Sequence, residues 1–170
     1  AWAVLQPLSL MLIFTAIFGY FVKVPTDGVP YPIFSYSALL PWTFLATSIS
    51  FAVPSMLNNM NLVTKIYFPR EILPMASIGA AFLDYAIAFV LFVILMLAYQ
   101  IPLRATLLLL PLLLVIQIIL TLGISLIASA VIVFYRDVRF VVPLALQLWM
   151  YLSPVIYPVS SVPENWQALY

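Results

Sequence analysis

Asp84 is the one acid well inside a long apolar stretch of this 170-residue chain, about a third of the way along a run from about Met75 to Tyr99. A carboxylate near the centre of a bilayer costs at least about 2.5–3.5 kcal/mol on insertion scales, so it must face protein or water. Two kinds of chemistry suit it. One is a proton relay or the polar lining of a pathway. The other is a hydrogen bond to a neighbouring helix, or hydration near the membrane interface. The remaining inventory favours the second, because no further intramembrane acid or base is present to complete a relay. Absence of histidine and cysteine removes disulfide frameworks, the usual zinc and haem sites and every His-dependent triad. No phosphate-cradling GxxxxGK[ST] motif, paired carboxylates or activated nucleophile is found either. The chain therefore reads as non-catalytic, with no metal or cofactor of its own, and active transport through it needs an outside energy source.

A second pattern is softer. Gln117, Thr121, Ser125 and Ser129 recur at steps of four, making one slowly rotating stripe on a helix. Such a stripe either lines a hydrophilic passage or, more commonly, lets two helices approach closely. Thr15 and Gly19 form a comparable small-xxx-small pair. Aromatics make up 15% of the residues, and those near the end of the chain (Trp149, Tyr151, Tyr157, Trp166 and Tyr170) suit anchoring at the membrane interface. Their faces also suit stacking on sugar rings.

The elements that position these groups follow from hydropathy. The chain is 66% hydrophobic and 6% charged, against about 25% charged in a soluble domain, and its mean hydropathy is +1.22. Apolar runs of about 20 residues identify a bilayer as the solvent. Expected spans cover roughly Trp2–Val22 (broken by Pro7), Ser37–Leu57, Met75–Tyr99, Thr106–Phe134 and a fifth ending near Pro158. The fold class is all-α, a polytopic transmembrane helical bundle. Between spans lie a turn-rich loop from Lys23 to Pro32, a polar connection from Asn58 to Pro74, a tight turn from Gln100 to Arg104 and a short charged turn around Arg136, Asp137 and Arg139. Lys65, Arg70, Arg136 and Arg139 fall on one side and only Lys23 and Arg104 on the other, which places the former in the cytoplasm. A net charge of +1 and the lack of a basic stripe exclude a nucleic-acid partner. The chain opens on an apolar segment without Met and stops at Tyr170, which reads as an internal piece of a longer protein.

Two stretches carry more than hydropathy. One is Asn61-Leu-Val-Thr-Lys-Ile-Tyr-Phe-Pro-Arg-Glu-Ile-Leu-Pro74. The other is Phe134-Tyr-Arg-Asp-Val-Arg-Phe-Val-Val-Pro143, continuing as Gln147-Leu-Trp-Met-Tyr-Leu-Ser-Pro-Val-Ile-Tyr-Pro158. In this order and spacing the chain resembles the permease subunit of ABC-2 type exporters, in the polysaccharide, O-antigen and teichoic-acid branch. The resemblance implies a half-transporter of six spans, of which five are visible, working as a homodimer with two ATP-binding cassette subunits. The amphipathic N-terminal interface helix and the last span of that family have no counterpart here. ATP and magnesium belong to the partner subunit on this reading, and the cargo is a lipid-linked glycan crossing a bacterial inner membrane.

The resemblance assigns residues as well. Residues 58–74 form a cytoplasmic coupling segment whose short docking helix falls around Lys65, Ile66, Tyr67, Phe68, Arg70 and Glu71. There Tyr67 and Phe68 fill a hydrophobic cleft of the ATPase and Arg70 and Glu71 make a polar rim. Arg136 and Asp137 mark the second cytoplasmic turn, where Asp137 is placed to pair with a neighbouring arginine and hold the ends of the fourth and fifth spans, a role in geometry more than in stability. Trp42, Trp149, Tyr151 and Tyr157 are the channel-lining candidates, and residues 159–170 begin an external, re-entrant segment. Three competing readings stand beside this one. A drug or lipid exporter of the same superfamily prefers a less aromatic passage. A gradient-driven carrier needs interacting intramembrane charges, and a membrane-embedded enzyme needs reactive groups that the chain lacks.

Overall fold

The computed structural model describes residues 2–21, 30–65, 67–101, 105–155 and 157, and every regular element among them is helical. Six α-helices follow in chain order: α1 Trp2–Phe14, α2 Tyr31–Asn58, α3 Met60–Lys65, α4 Ile72–Ala98, α5 Leu110–Phe134 and α6 Val138–Leu152. A π-helical stretch, Thr15–Phe21, continues α1, and a 3₁₀ turn, Ala105–Leu109, leads into α5. Three stretches, Tyr31–Asn58, Ile72–Ala98 and Leu107–Phe134, are long and apolar enough to cross a membrane, while Leu8–Phe21 and Val138–Leu152 are shorter apolar helices.

Prolines decide several boundaries, not always as the sequence pattern suggests. Expected to block helix, Pro32 instead sits in the first turn of α2, where a missing N–H leaves no bond unmade. The Pro30 carbonyl accepts from the amides of Ile33 and Phe34 at 3.0 and 3.2 Å, so α2 starts six residues before the expected Ser37. Pro74 lies in the first turn of α4 in the same way. Pro7 does not break the first helix, which runs on from Trp2 to Phe14. Pro154, by contrast, acts as a stop. The residue before a proline avoids the α region, so α6 ends at Leu152 and Ser153 enters a turn whose amide donates to the Trp149 carbonyl at 2.9 Å. At 15 residues the helix is about 22 Å long, shorter than the expected fifth span and than a hydrocarbon core of about 30 Å.

The chain divides into two compact units, and α2, α4 and α6 contribute to both. The first comprises Ala1–Thr43, Asp84–Ile101 and Gln147–Tyr170. Its core joins Met11 of α1, Ile33, Tyr36 and Leu40 of α2, and Ala88, Phe92 and Met96 of α4. The Tyr36 hydroxyl donates to the Ala88 carbonyl at 3.2 Å, and its ring stacks on Phe92 with centroids 5.9 Å apart. Phe92 also meets Phe89, which stacks on Tyr85. Close helix approach occurs at Gly19, where a methyl group would stand 3.5 Å from Tyr31. α4 ends with Gln100 at φ 55° and with the Ile101 amide reaching back to the Met96 carbonyl at 3.1 Å, a left-handed helix cap.

The second unit, Phe44–Leu83 with Pro102–Leu146, has a different filling. Its fully buried side chains are mostly small or carry hydroxyls: Ser48, Ala52, Thr121, Ser125 and Ser129, beside Ile49, Val53 and Ile132. Phe44 and Phe82 add an edge-on ring contact at 6.1 Å.

Candidate functional site

The polar connection between α2 and α4 is built in three parts. Asn59 turns the chain out of α2, its side-chain amide donating to the Ser55 carbonyl at 2.8 Å while its own carbonyl accepts from Leu62 and Val63. α3 follows for less than two turns, its Thr64 hydroxyl bonded back to Met60 at 2.9 Å. The chain then runs without regular structure from Tyr67 to Pro69 and turns at Arg70 and Glu71 into α4, where the Met75 amide donates to the Glu71 carbonyl at 3.1 Å. The short helix thus ends at Lys65, the first of the expected docking residues, and Tyr67, Phe68, Arg70 and Glu71 follow it. Pro69 explains the shift, since it disfavours helix at Phe68. Tyr67 is fully exposed, at 104% of its reference area; Lys65, Arg70 and Glu71 are exposed, and Phe68 is half-buried. Ile66 lies outside the described residues.

The turn before α6 has comparable exposure. The Asp137 carbonyl accepts from the amides of Phe140 and Val141 at 2.9 and 3.2 Å, opening the helix. Asp137, expected to pair with an arginine, makes no ion pair among the described residues; the Arg139 guanidinium lies instead over the Phe140 ring, 4.7 Å from its centroid. Such cation–π contacts contribute about 0.5–1 kcal/mol at exposed sites, comparable to the 0–1 of a surface ion pair, so nothing compels the carboxylate partner.

All four aromatic candidates belong to the first unit. Trp42 and Trp149 meet edge to face, with centroids 6.1 Å apart and planes at 81°. Trp42 and Tyr157 pack with Met150 around Leu39 and Val155. The Tyr157 hydroxyl donates to the Tyr151 carbonyl at 3.2 Å, while the Tyr151 ring is largely exposed. Residues more than 100 positions apart in sequence therefore share one aromatic cluster with both buried and open faces. Missed at the sequence level was the ladder of Tyr36, Tyr85, Phe89 and Phe92; its signal was there, since residues 85, 89 and 92 recur at helical spacing.

The other two candidates resolve differently. Thr121, Ser125 and Ser129 are buried and Gln117 half-buried, which fits close packing. Thr121 satisfies its hydroxyl on the Gln117 carbonyl at 2.7 Å and Ser129 on Leu126 at 3.0 Å, whereas the buried Ser125 hydroxyl has no partner among the described residues. Asp84, expected to face protein or water, is exposed on α4 beside Leu83 and Ile87. Lys23, Arg104 and residues 159–170 lie outside the described residues.

The ABC-2 type transporter family matches residues 1–170. The chain belongs to that family. Among its relatives is the O-antigen export system permease protein of Myxococcus xanthus, 28% identical over 96% of this chain. A Klebsiella pneumoniae protein of the same description is also 28% identical over 96% of the chain. The polysialic acid transport protein of Escherichia coli is 26% identical over 97%. This ABC-2 family chain spans 62, 63 and 64% of the length of these three relatives, respectively.

Proposed function

We propose that this ABC-2 family chain is the membrane-spanning permease subunit of an ATP-driven exporter that carries a lipid-linked polysaccharide out of the cytoplasm. It works as a homodimer in a bacterial inner membrane, beside an ATP-binding cassette subunit that holds ATP and magnesium. The observation that carries this reading is similarity along nearly the whole chain to permeases of O-antigen export and to a polysialic acid transport protein.

Physical support comes from the segment between α2 and α4. A tyrosine wholly exposed to water beside a half-buried phenylalanine needs a reason, and a cleft on an ATPase supplies one. Tyr67 and Phe68 anchor in it while Lys65, Ile66, Arg70 and Glu71 surround the contact. Closure of the ATPase around ATP then displaces the ends of α2 and α4 directly. The Arg136, Asp137 and Arg139 turn lies on the same membrane face. The cluster of Trp42, Trp149, Tyr151 and Tyr157 offers ring faces to the sugars of the cargo.

Purification of the intact protein in mild detergent tests the assignment. An ATPase subunit is expected to accompany it and to be lost from a Tyr67→Ala, Phe68→Ala double variant that still inserts and dimerises. Failure to recover any ATPase with the unmutated dimer overturns the reading. Orientation has its own check, because the 170 residues contain no cysteine. A cysteine replacing Tyr67 should resist an impermeant thiol reagent in intact cells and one replacing Ser160 should react; the reverse pattern inverts the topology.

A further inference from the structure

The first helix changes its winding part-way along, and two observations mark the same turn. Thr15–Phe21 is π-helical, a geometry that closes i→i+5 bonds, is rare, and recurs at functional sites. At its first residue the Thr15 hydroxyl is shielded from solvent and has no partner among the described residues. In α3 and α5, Thr64 and Thr121 bond back to the carbonyl four residues earlier, as threonines in an α-helix commonly do. A buried hydroxyl left without a bond costs free energy. Winding as α-helix at Thr15 offers that hydroxyl the Met11 carbonyl.

Packing later in the stretch holds the wide turn. A Cβ placed on Gly19 would stand 3.5 Å from the Tyr31 Cβ and 3.6 Å from the Thr15 Cγ2. One residue earlier, Phe18 packs with Phe14, Trp42 and Tyr157 around Leu39 and Val155, meeting Phe14 edge to face at 5.9 Å. All of these residues belong to the first unit. An α turn holds fewer residues than a π turn, so winding from the same Thr15 brings an earlier residue to each place around the axis. Phe18 then takes the place of Gly19 against Tyr31 and leaves the cluster around Leu39.

We infer that Thr15–Phe21 is a two-register switch in the first helix. The π register seats Gly19 on Tyr31 and places Phe18 beside Trp42 and Tyr157; the α register satisfies the Thr15 hydroxyl and turns Phe18 towards Tyr31. Each arrangement satisfies a group that the other leaves out, which is what a bistable element requires. The role of the switch in export rests on the reading above, in which Trp42 and Tyr157 meet the cargo. There it adds a ring to that cluster or withdraws it.

The test uses the full-length protein, cleared of any cysteine outside these 170 residues, which contain none. Tyr31→Cys is combined in turn with Gly19→Cys, Phe18→Cys and, as a control, Ile17→Cys. A disulfide needs Cβ atoms about 3.5–4.5 Å apart, so mild oxidation should close the first pair in the π register and the second in the α register. The Ile17 pair should stay open. Closure of the Gly19 pair alone overturns the proposal by showing a single register, and failure of the Gly19 pair removes the contact it starts from. Closure of the Ile17 pair also overturns it, because the hairpin is then merely mobile. In cells, closing either expected disulfide should lower glycan export about tenfold or more, with recovery on reduction. Undiminished export with both disulfides closed overturns the role in transport. If both pairs close but the unmutated protein exports no glycan, the switch stands and the exporter reading fails.

Discussion

The first unit is filled by rings and the second by hydroxyls. Around Tyr36, Phe89 and Phe92 the helices are held by large aromatic surfaces, whereas Ser48, Ala52, Thr121, Ser125 and Ser129 fill the second unit with small side chains, none larger than that of threonine. The difference follows from what a bilayer rewards. Lipid tails are as apolar as a protein core, so hydrophobicity alone does not bring spans together. Contact must come from shape. Rings achieve it by filling space between distant backbones, and small residues by letting backbones approach. The two units should therefore fail under opposite substitutions.

The largest effect is expected from enlarging the second unit. Ser125 is wholly buried, so Ser125→Leu should destabilise the protein by about 3 kcal/mol through forced separation of its helices; reversible unfolding in mixed detergent micelles measures this. Ser125→Ala, which removes an unpartnered hydroxyl, should be neutral or slightly stabilising and marks the site as steric. The converse experiment empties the first unit. Phe92→Ala should cost about 2 kcal/mol in the same assay, less than in a soluble core because only the cavity contributes. Tyr36→Phe isolates the hydrogen bond to Ala88 from the ring stacking and should cost about 0.6–1 kcal/mol. Smallest is the helix cap of α4. Gln100 adopts φ 55°, where glycine is unstrained, so Gln100→Gly should stabilise by about 0.5 kcal/mol. Equal tolerance of large and small residues in both units would dissolve the contrast.

For the polar connection between α2 and α4, the sequence marked the break between spans but not the position of the short helix within it. The run from Lys65 to Glu71 was read as the docking helix; the structure forms α3 one turn earlier and leaves Tyr67 and Phe68 on the irregular stretch after it. A six-residue helix is set by its neighbours, here the Asn59 turn and Pro69, and periodicity carries almost no signal over so short a length. The arginine–aspartate pair in the second turn failed for a related reason. Exposed charges have many nearly equal partners, and the Phe140 ring was as good a neighbour for Arg139.

The sequence by itself determined the solvent, the helical class and the approximate limits of the long spans, because each rests on composition summed over about 20 residues. It also singled out the serine and threonine stripe, since a four-residue step is a property of one helix. Tertiary structure alone decided which groups share a neighbourhood. Trp42 and Trp149 are far apart in sequence and touch, and Tyr36 reaches Ala88 on another helix. It also decided that Asp84 faces outward, a matter of how α4 is rotated against α2. Rotation of a uniformly apolar helix leaves little trace in its sequence, because lipid and protein accept the same side chains. Only packing breaks that tie.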